Sequence, residues 1–396
     1  MKIYYKKYLQ QKILKYHSYI IWLFLIFIMT YYFLELLKYN FHNYKTGDWL
    51  INYDHGFVRR GFVGTLFIGA VKIFNLSSSG LTWAIFAVQN IFYILIFYFI
   101  QKIYLLNKIN YFTLVLFFSP AYILFPYYDF AGGYRKEIIT FLAFTILTYQ
   151  LCKQTKSPKM IWISLVLYII AILSHETAIF SLPFFLFVIL KIKQSNLLTV
   201  EKTNKFLILF TASASIGFVT SILSSLDVEK NITIVHNTCE YFLNLGYDKK
   251  ICETAFIWIL MPFSEHLNDR ISSIYSAITI NSLLFFISIL PVFFSNWIKK
   301  KENKLIVIIG IIFISPLFII SHDWGRWIHI YIFFLFTIIL ADTNKNKYKT
   351  KIIPIFFVIG YLFLWSLPHC CTVQVGDGIF LKQLNIIKLY QEKKYQ

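Results

Sequence analysis

Apolar runs long enough to cross a membrane alternate with short polar segments along the whole chain. A membrane-spanning helix needs about 20 largely apolar residues, so these runs predict an all-α, polytopic integral membrane protein. Placing each lysine-rich segment in the cytoplasm gives about eleven crossings, within a range of about nine to twelve. The predicted spans are residues 18–38, 81–100, 110–126, 137–151, 160–174, 177–190, 206–226, 277–297, 305–320, 328–341 and 352–367.

The orientation of these spans follows from the distribution of lysine. The first residues include Lys2, Lys6 and Lys7, so we expect the N-terminus in the cytoplasm. The apolar stretch 20–37 is long enough to span and no small-residue cleavage site follows it, so it is expected to remain as the first helix. The other cytoplasmic segments are predicted at residues 102–108, 153–159, 191–205, 299–304 and 345–351, which places the C-terminus outside.

Three outer segments stand out in this single predicted membrane domain. Residues 39–80 form the first outer loop and end in a short apolar helix, 61–75, that is expected to lie in the membrane interface. Residues 227–276 form a long outer loop with a re-entrant piece at 255–263. Residues 368–396 form an outer tail.

Two details of the outer face are less regular. The apolar stretch 160–190 is short for two full crossings, so we expect two shortened helices that meet at the polar turn 174–176, below the outer surface. In the long outer loop, Cys239 and Cys252 face an oxidising exterior. A disulfide between them and two free thiols remain open alternatives, because sequence does not fix pairing.

Composition narrows the class of partner. The chain is 58% hydrophobic and 14% charged, and its formal net charge is +19. Of the 38 basic residues, five are arginine and the rest are lysine, mostly in loops between apolar runs. That distribution is explained by membrane orientation and anionic lipid rather than by nucleic acid.

The arginines mark the candidate chemistry. All five fall in predicted outer segments, beside carboxylates and histidines. Ionisable residues at a membrane boundary are costly, so several clusters on one face indicate a polar cavity for an anionic substrate. Arginine suits phosphate because its planar fork offers paired donors. The candidate residues are Asp48, Asp54, Arg59, Arg60, Asp129, Arg135, His175, Glu176, Arg270, His322, Asp323, Trp324 and Arg326.

Each cluster also has a structural interpretation. Arg59 and Arg60 are able to snorkel at an interface. Asp323 and Arg326 are spaced to pair across one helical turn, and Trp324 suits an interfacial aromatic belt as well as a sugar platform. The polar turn 174–176 is able to satisfy helix ends at a break.

The functional interpretation rests on glycosyl transfer from a lipid pyrophosphate. Such a reaction needs cations for the leaving group and a carboxylate or histidine to deprotonate the acceptor hydroxyl. Aromatic faces and acidic side chains also suit sugar rings. The sequence has no metal-binding pattern such as His-Glu-x-x-His and no Gly-rich phosphate loop, so neither a metal nor a cofactor is predicted.

The arrangement resembles the bacterial GT-C-type membrane glycosyltransferases, and among them the O-antigen and capsule repeat-unit polymerases (Wzy-like proteins). The likeness rests on an acidic first outer loop, the amphipathic stretch after it, about eleven spans and arginines confined to outer loops. Its motif-like segments are 53–61 (YDHGFVRRG) and 322–327 (HDWGRW). The resemblance implies a GT-C-like fold and a catalytic acid in the first outer loop, at Asp54 or Asp48.

The predicted protein is therefore an enzyme of the bacterial inner membrane. It joins undecaprenyl-pyrophosphate-linked repeat units on the outer face, with Asp54 first and Asp48 second as the base or acceptor-orienting carboxylate. His175 and Glu176 complete the catalytic set. The predicted substrate-binding residues are Arg59, Arg60, Asp129, Arg135, Arg270, His322, Asp323, Trp324 and Arg326.

Three alternatives remain at this stage. A GT-C transferase that adds one sugar from a polyprenyl-phosphate donor differs in product size. A membrane acyltransferase would use His175 or His322 as base. A flippase or transporter is disfavoured because the chain shows no internal repeat or matched halves. Expected partners are the polyprenyl-linked glycan, membrane lipid, and a chain-length regulator or flippase of the same pathway; nucleic acid is not expected.

Overall fold

The computed structural model of the chain describes residues 2–38, 43–106, 110–154, 156–253, 255–260, 274–321, 323–343, 353–370 and 375–378. Helices form most of this part, which confirms the all-α prediction. The α-helices in chain order are α1 (Lys2–Lys38), α2 (Asn43–Leu50), α3 (Phe62–Phe74), α4 (Ser78–Leu105), α5 (Tyr111–Phe117), α6 (Phe125–Tyr128), α7 (Phe130–Gly133), α8 (Glu137–Lys153), α9 (Lys159–Ser174), α10 (Leu182–Gln194), α11 (Val200–Leu226), α12 (Val228–Asn244), α13 (Ile257–Leu260), α14 (Ile274–Ile289), α15 (Lys301–Ile320), α16 (Trp324–Thr343) and α17 (Ile355–Phe363).

Short 3₁₀ and β segments complete the described structure. The 3₁₀ helices are Glu176–Ser181, Lys249–Ile251, Leu290–Phe294 and Asn296–Lys299. Strands β1 (Trp365–Ser366) and β2 (Gly376–Asp377) pair antiparallel, with Trp365 opposite Asp377. This pairing folds the segment after α17 back against the end of that helix.

Membrane embedding is supported by the length and hydropathy of the helices. In the described part of the chain, four helices are long and apolar enough to cross a membrane, namely α4, α11, α15 and α16. Shorter apolar helices include α3, α9 and parts of α1 and α14. The chain is thus a helical, membrane-embedded protein. The eleven crossings stay a prediction.

Two helices, α8 and α16, lie at the centre of the bundle. In α16, 94% of an apolar 18-residue stretch is buried inside the protein, whereas in α11 the share is 22%. Helix α11 therefore lies at the periphery. Almost every residue of α8 is buried, and this helix packs against α4, α9, α10 and α16. A helix that is apolar on every side is expected in such a position. The N-termini of α8 and α16 carry ionisable residues, among them Glu137 and Arg326.

The predicted span 110–126 is not a single helix. Helix α5 ends at Phe117, and turns lead from there to the short helices α6 and α7. Pro120 disfavours helix at the residue before it and supplies no backbone donor, and Pro126 starts a new helical turn. The break brings the acidic end of this segment, Asp129, back against the bundle.

The predicted polar turn at 174–176 is present. Helix α9 ends at Ser174, and the 3₁₀ helix Glu176–Ser181 leads into α10, which has Pro183 in its first turn. The His175 side chain caps the 3₁₀ helix by accepting from the backbone N–H of Thr177. Polar side chains at this turn therefore lie at the meeting point of two helices, as expected.

The long outer segment 227–276 is more ordered than a loop. Helix α12 occupies Val228–Asn244 and buries one face, and a disulfide joins Cys239 to Cys252 with their Cα atoms 5.7 Å apart. The disulfide alternative is therefore the one that the structure has. Helix α13 covers part of the predicted re-entrant piece and is preceded by a turn at 255–256; residues 261–263 of that piece lie outside the described residues.

Candidate functional site

Four of the predicted polar clusters meet at one end of the bundle. Asp48 comes from α2, Arg135 from the segment just before α8, His175 from the end of α9, and Arg326 from the first turn of α16. Their side chains are linked by ion pairs and by Coulomb interactions with the residues beside them. Segments far apart in sequence thus build one ionic network. Two further candidates, Arg270 and His322, lie outside the described residues.

The centre of the network is buried. Asp48 is fully buried, and its Oδ2 lies 3.4 Å from Arg135 Nε. Glu137 Oε1 lies 3.6 Å from Arg326 Nε. Burial raises the pKa of the Asp48 carboxyl, but the positive charges of Arg135 and Lys136 lower it by more. The pKa therefore lies below its ordinary value, and Asp48 is ionised. These buried charges are compensated within the protein.

His175 is held in one tautomer. Its Nδ1 accepts from the backbone N–H of Thr177 at 3.3 Å and lies 2.9 Å from the Thr177 hydroxyl, so the neutral ring carries its hydrogen on Nε2. That atom is 3.7 Å from Glu137 Oε1. Burial lowers the pKa of His175 to about 4, against the opposing effect of Glu137. At neutral pH the ring is uncharged and directed at Glu137.

A basic rim lies on one side of the centre, and we define it as Arg59, Arg60 and Glu176. Arg60 donates from Nε to both Glu176 carboxylate oxygens, at 3.0 and 2.8 Å, and its Nη2 also pairs with that side chain. Arg59 Nη1 is 3.7 Å from Glu176. All three side chains are partly exposed, at 14–21%. The rim is therefore the accessible, arginine-rich part of the network.

Lys136 supports the basic rim from below. It is fully buried and donates from Nζ to the backbone carbonyl of Arg60 at 2.8 Å. Arg60 has a left-handed backbone, with φ 71°, which is uncommon for a residue with a side chain. Burial lowers the pKa of Lys136 to about 8, while the Asp48 charge acts in the opposite direction. The lysine thus fixes the strained turn that presents Arg60.

An acidic rim lies near the start of α16, and we define it as Asp129, Asp323 and His369. Asp129 Oδ2 accepts from the backbone N–H of His369 at 2.8 Å and lies 2.6 Å from His369 Nδ1. Asp323 pairs with Arg326 at 2.9 Å, and the backbone N–H of Arg326 donates to the His369 carbonyl at 3.3 Å. The acidic rim is joined to the buried centre through Arg326.

Asp54, the first-ranked catalytic candidate, lies on the exposed side of its loop. Its carboxylate pairs with Lys72 Nζ at 2.5 Å, and both side chains are partly exposed to solvent. Asp48 and Asp54 therefore occupy different environments although they belong to the same segment. Whether either acts in catalysis stays a prediction.

Trp324 lies between the network and an apolar groove. The groove, about 340 Å³ in volume, runs between α14, α15 and α16 and is lined by Trp324 together with Phe285, Ile314, Phe318 and Tyr331. Trp324 follows Asp323 directly in the chain and packs edge-on against Phe318. An apolar channel with a charged group at one end suits an amphiphilic ligand.

Among the residues that the structure describes, positive and negative side chains are balanced in the network. Arg59, Arg60, Arg135, Lys136 and Arg326 face Asp48, Asp129, Glu137, Glu176 and Asp323. A phosphate that binds here must therefore replace a carboxylate as the ion-pair partner of an arginine. The partly exposed pairs of the basic rim exchange partners at a lower cost than the pairs of the buried centre, where desolvation is greatest.

Metal binding has weak support in this geometry. Ligand atoms of Asp323, His369 and Cys370 lie within 4.8 Å of one another. Cys370 is disulfide-bonded, so it provides no thiolate, and the group keeps one carboxylate and one imidazole.

Three residues of the network had no assigned role in the sequence prediction. Lys136 and Glu137 share the polar break with Arg135, and that break was their signal. His369 follows the last predicted span in the segment Pro-His-Cys-Cys, where nothing marks its pairing with Asp129. No family model, curated protein or solved structure matches this chain.

Proposed function

We propose that this chain is a GT-C-like membrane glycosyltransferase that joins polyprenyl-pyrophosphate-linked repeat units at the outer face of a bacterial cytoplasmic membrane. The observation that supports it most is the convergence of four polar clusters in one ionic network at the end of an apolar bundle. A network with accessible arginines on one side and a carboxylate–histidine group on the other suits transfer from a phosphate leaving group.

The groove supports a lipid-linked donor. Ile278 and Ile311 line the groove and are exposed on the surface of the described structure. A lipid tail from the surrounding membrane can therefore enter the groove along these apolar side chains. Trp324 then stands where an apolar tail gives way to a polar head. A polyprenyl tail in the groove therefore leads its polar head to the end of the bundle that carries the ionic network.

The two rims divide the chemistry. Arg59 and Arg60 bind the pyrophosphate, and Glu176 releases Arg60 when the phosphate arrives. Arg135 and Arg326 keep the buried carboxylates in place and so position the rims. The acidic rim lies where the acceptor hydroxyl is oriented and deprotonated. Asp54, paired with Lys72, lies outside this division of roles.

The topology belongs to the proposal. With about eleven crossings and a cytoplasmic N-terminus, the segments that carry α2, α7 and the turn at His175 all lie outside. Their meeting in one network agrees with a common side of the membrane. The lysine-rich segment 299–304 lies on the opposite side in this arrangement.

The test is the size of the glycan in cells that lack this chain. We expect the null strain to carry a single capped repeat unit, and wild-type chain to restore the ladder. Arg60→Lys keeps the charge and removes the fork on Glu176, so it is expected not to restore full chain lengths. The exposed Lys249→Arg exchange serves as the control.

The outcome separates the rival functions. An intact ladder in the null strain contradicts polymerisation. Loss of one sugar increment in place of the ladder indicates a GT-C transferase that uses a polyprenyl-phosphate donor. Accumulation of unprocessed lipid-linked units on the inner face indicates a flippase.

A further inference from the structure

The pair formed by Asp129 and His369 is the feature that the sequence prediction missed most completely. Asp129 holds three donors: its Oδ1 accepts from Gly132 N at 2.8 Å, and its Oδ2 binds both the backbone and the ring of His369. The His369 side chain is 25% exposed and that of Asp129 14%. The imidazole is thus fixed at one nitrogen and remains partly accessible.

Two glycines allow this contact. A Cβ added to Gly132 would lie 2.5 Å from the Cβ of His369, and one added to Gly325 would overlap the carbonyl oxygen of Pro368. Helix α7 and the start of α16 therefore approach the 368–369 backbone from two sides. Close backbone approach of this kind fixes where the ring lies.

The hydrogen bond determines which nitrogen is free to accept a proton. A carboxylate accepts only, so His369 Nδ1 donates to Asp129, and the neutral ring keeps its lone pair on Nε2. Among the described residues, Asp129 from the α7 side pairs with the ring, and Asp323, just before α16, interacts with it electrostatically and is itself paired with Arg326. Arg135 acts on Asp323 from the buried centre. This is the arrangement of an oriented general base.

We propose that His369 is the catalytic base of the transfer reaction and that Asp129 is its positioning residue. This inference rests on the proposed glycosyltransferase function. His369 Nε2 takes the proton of the acceptor hydroxyl while that oxygen forms a bond to the anomeric carbon of the donor. The bond from that carbon to the phosphate oxygen breaks, and its electron pair leaves with the polyprenyl pyrophosphate. The proton then passes from His369 to water.

The competing interpretation is that the pair only ties the segment after α17 to α7. Both interpretations predict loss of activity when His369 is removed, so activity alone does not decide. A catalytic base differs from a structural tie in two ways. Free imidazole is able to replace it in the His369→Ala variant, and the decrease of the rate at acid pH depends on it.

The experiment uses membranes that contain the full chain and lipid-linked glycan extracted from cells lacking it. We expect His369→Ala to lower the rate of chain extension by about 10²–10⁴-fold. Added imidazole should raise the rate of that variant at least about tenfold without affecting the wild type. Asp129→Asn keeps an acceptor for Nδ1, so it is expected to fold and to lose a smaller factor. The exposed His236→Ala is the matched control and should keep the wild-type rate.

The outcomes separate the two proposals. Wild-type rates in His369→Ala and Asp129→Asn overturn the base and leave the glycosyltransferase standing. A slow His369→Ala variant that imidazole does not rescue, with the acid limb of its profile unchanged, also overturns the base. If His369→Ala does not reach the membrane, an unchanged acid limb in Asp129→Asn overturns it. Failure of wild-type membranes to extend any glycan refutes the proposed function itself.

Discussion

Asp48 and Asp54 belong to the same outer segment but differ in exposure. Asp48 is fully buried against Arg135, whereas Asp54 is partly exposed beside Lys72. Removing one partner of a buried pair leaves an uncompensated charge, whereas an exposed pair contributes little to stability. Substituting Asp48 therefore tests a residue that stabilises the site, and substituting Asp54 tests a residue that is accessible to substrate.

We expect Asp48→Asn to lower the free energy of unfolding by about 3–5 kcal/mol, because Arg135 loses its counter-charge in a buried site. Asp54→Asn is the matched control, with an expected change of about 0–1 kcal/mol. Thermal unfolding of the purified chain in one detergent measures both. Equal stability of the two variants would contradict the assignment of Asp48 to the buried centre.

His175 gives the site a pH dependence of known sign. Burial lowers the pKa of His175 from 6.5 to about 4, so between these values the unfolded chain binds the proton more tightly than the folded protein. The stabilisation is complete above pH 6.5 and is lost as the pH falls towards 4, by on the order of 3 kcal/mol. His175→Gln is expected to show a flatter stability curve in this window. An identical slope in both proteins would show that His175 does not titrate as a buried group.

The sequence identifies the charged residues and the local pair of Asp323 with Arg326, but not the pairs between distant segments. Arg60, Arg135, Glu176 and Arg326 stand out because arginine and glutamate interrupt apolar runs. That Arg60 binds Glu176, or that Asp129 binds His369, depends on segments more than a hundred positions apart. Such pairing is fixed by the packing of helices, which single-residue patterns do not contain.

At the scale of the elements, the starts of α8 and α16 position the site. Glu137 is the first residue of α8, where the helix dipole favours a carboxylate. Arg326 lies in the first turn of α16, where the dipole disfavours a cation, and Asp323 and Glu137 offset this. The charges at the two helix ends therefore stabilise each other, because Glu137 of α8 pairs with Arg326 of α16.

Gly325→Ala tests the close approach of α16 to the 368–369 backbone. The added methyl group would overlap the Pro368 carbonyl, so we expect a loss of about 1–3 kcal/mol in stability together with lower transfer activity. Gly69→Ala in α3 is the control, because its Cβ would meet nothing within 4 Å; it should be neutral or stabilising. Unfolding and activity assays on both variants decide. A stable, fully active Gly325→Ala variant would contradict the tight contact.

Helix positions were largely predictable because apolar runs give their length and place. The exceptions have local causes: prolines interrupt 110–126, and a hydrophilic-looking stretch forms the amphipathic helix α12. Which helices lie at the centre of the bundle and which lie at its periphery was not predictable. The central place of α8 and α16 emerges only when every neighbour is known.

At the scale of the whole molecule, all the segments that build the ionic network must lie on one side of the membrane. Ser79→Cys, at an exposed position near the start of α4, should react with an impermeant maleimide from outside in intact cells. Lys301→Cys, at the exposed start of α15, should react only after the membrane is opened. Labelling of both from the same side would refute the predicted topology.

The most direct measurement is the reaction of the purified chain in lipid nanodiscs with lipid-linked glycan from cells that lack it. We expect longer lipid-linked glycans and one free polyprenyl pyrophosphate for each new glycosidic bond. Arg60→Lys should reduce both products together, because the fork on the leaving group is lost. Release of no polyprenyl pyrophosphate, with the glycan unchanged in size, would contradict the claim that this ionic network transfers glycans.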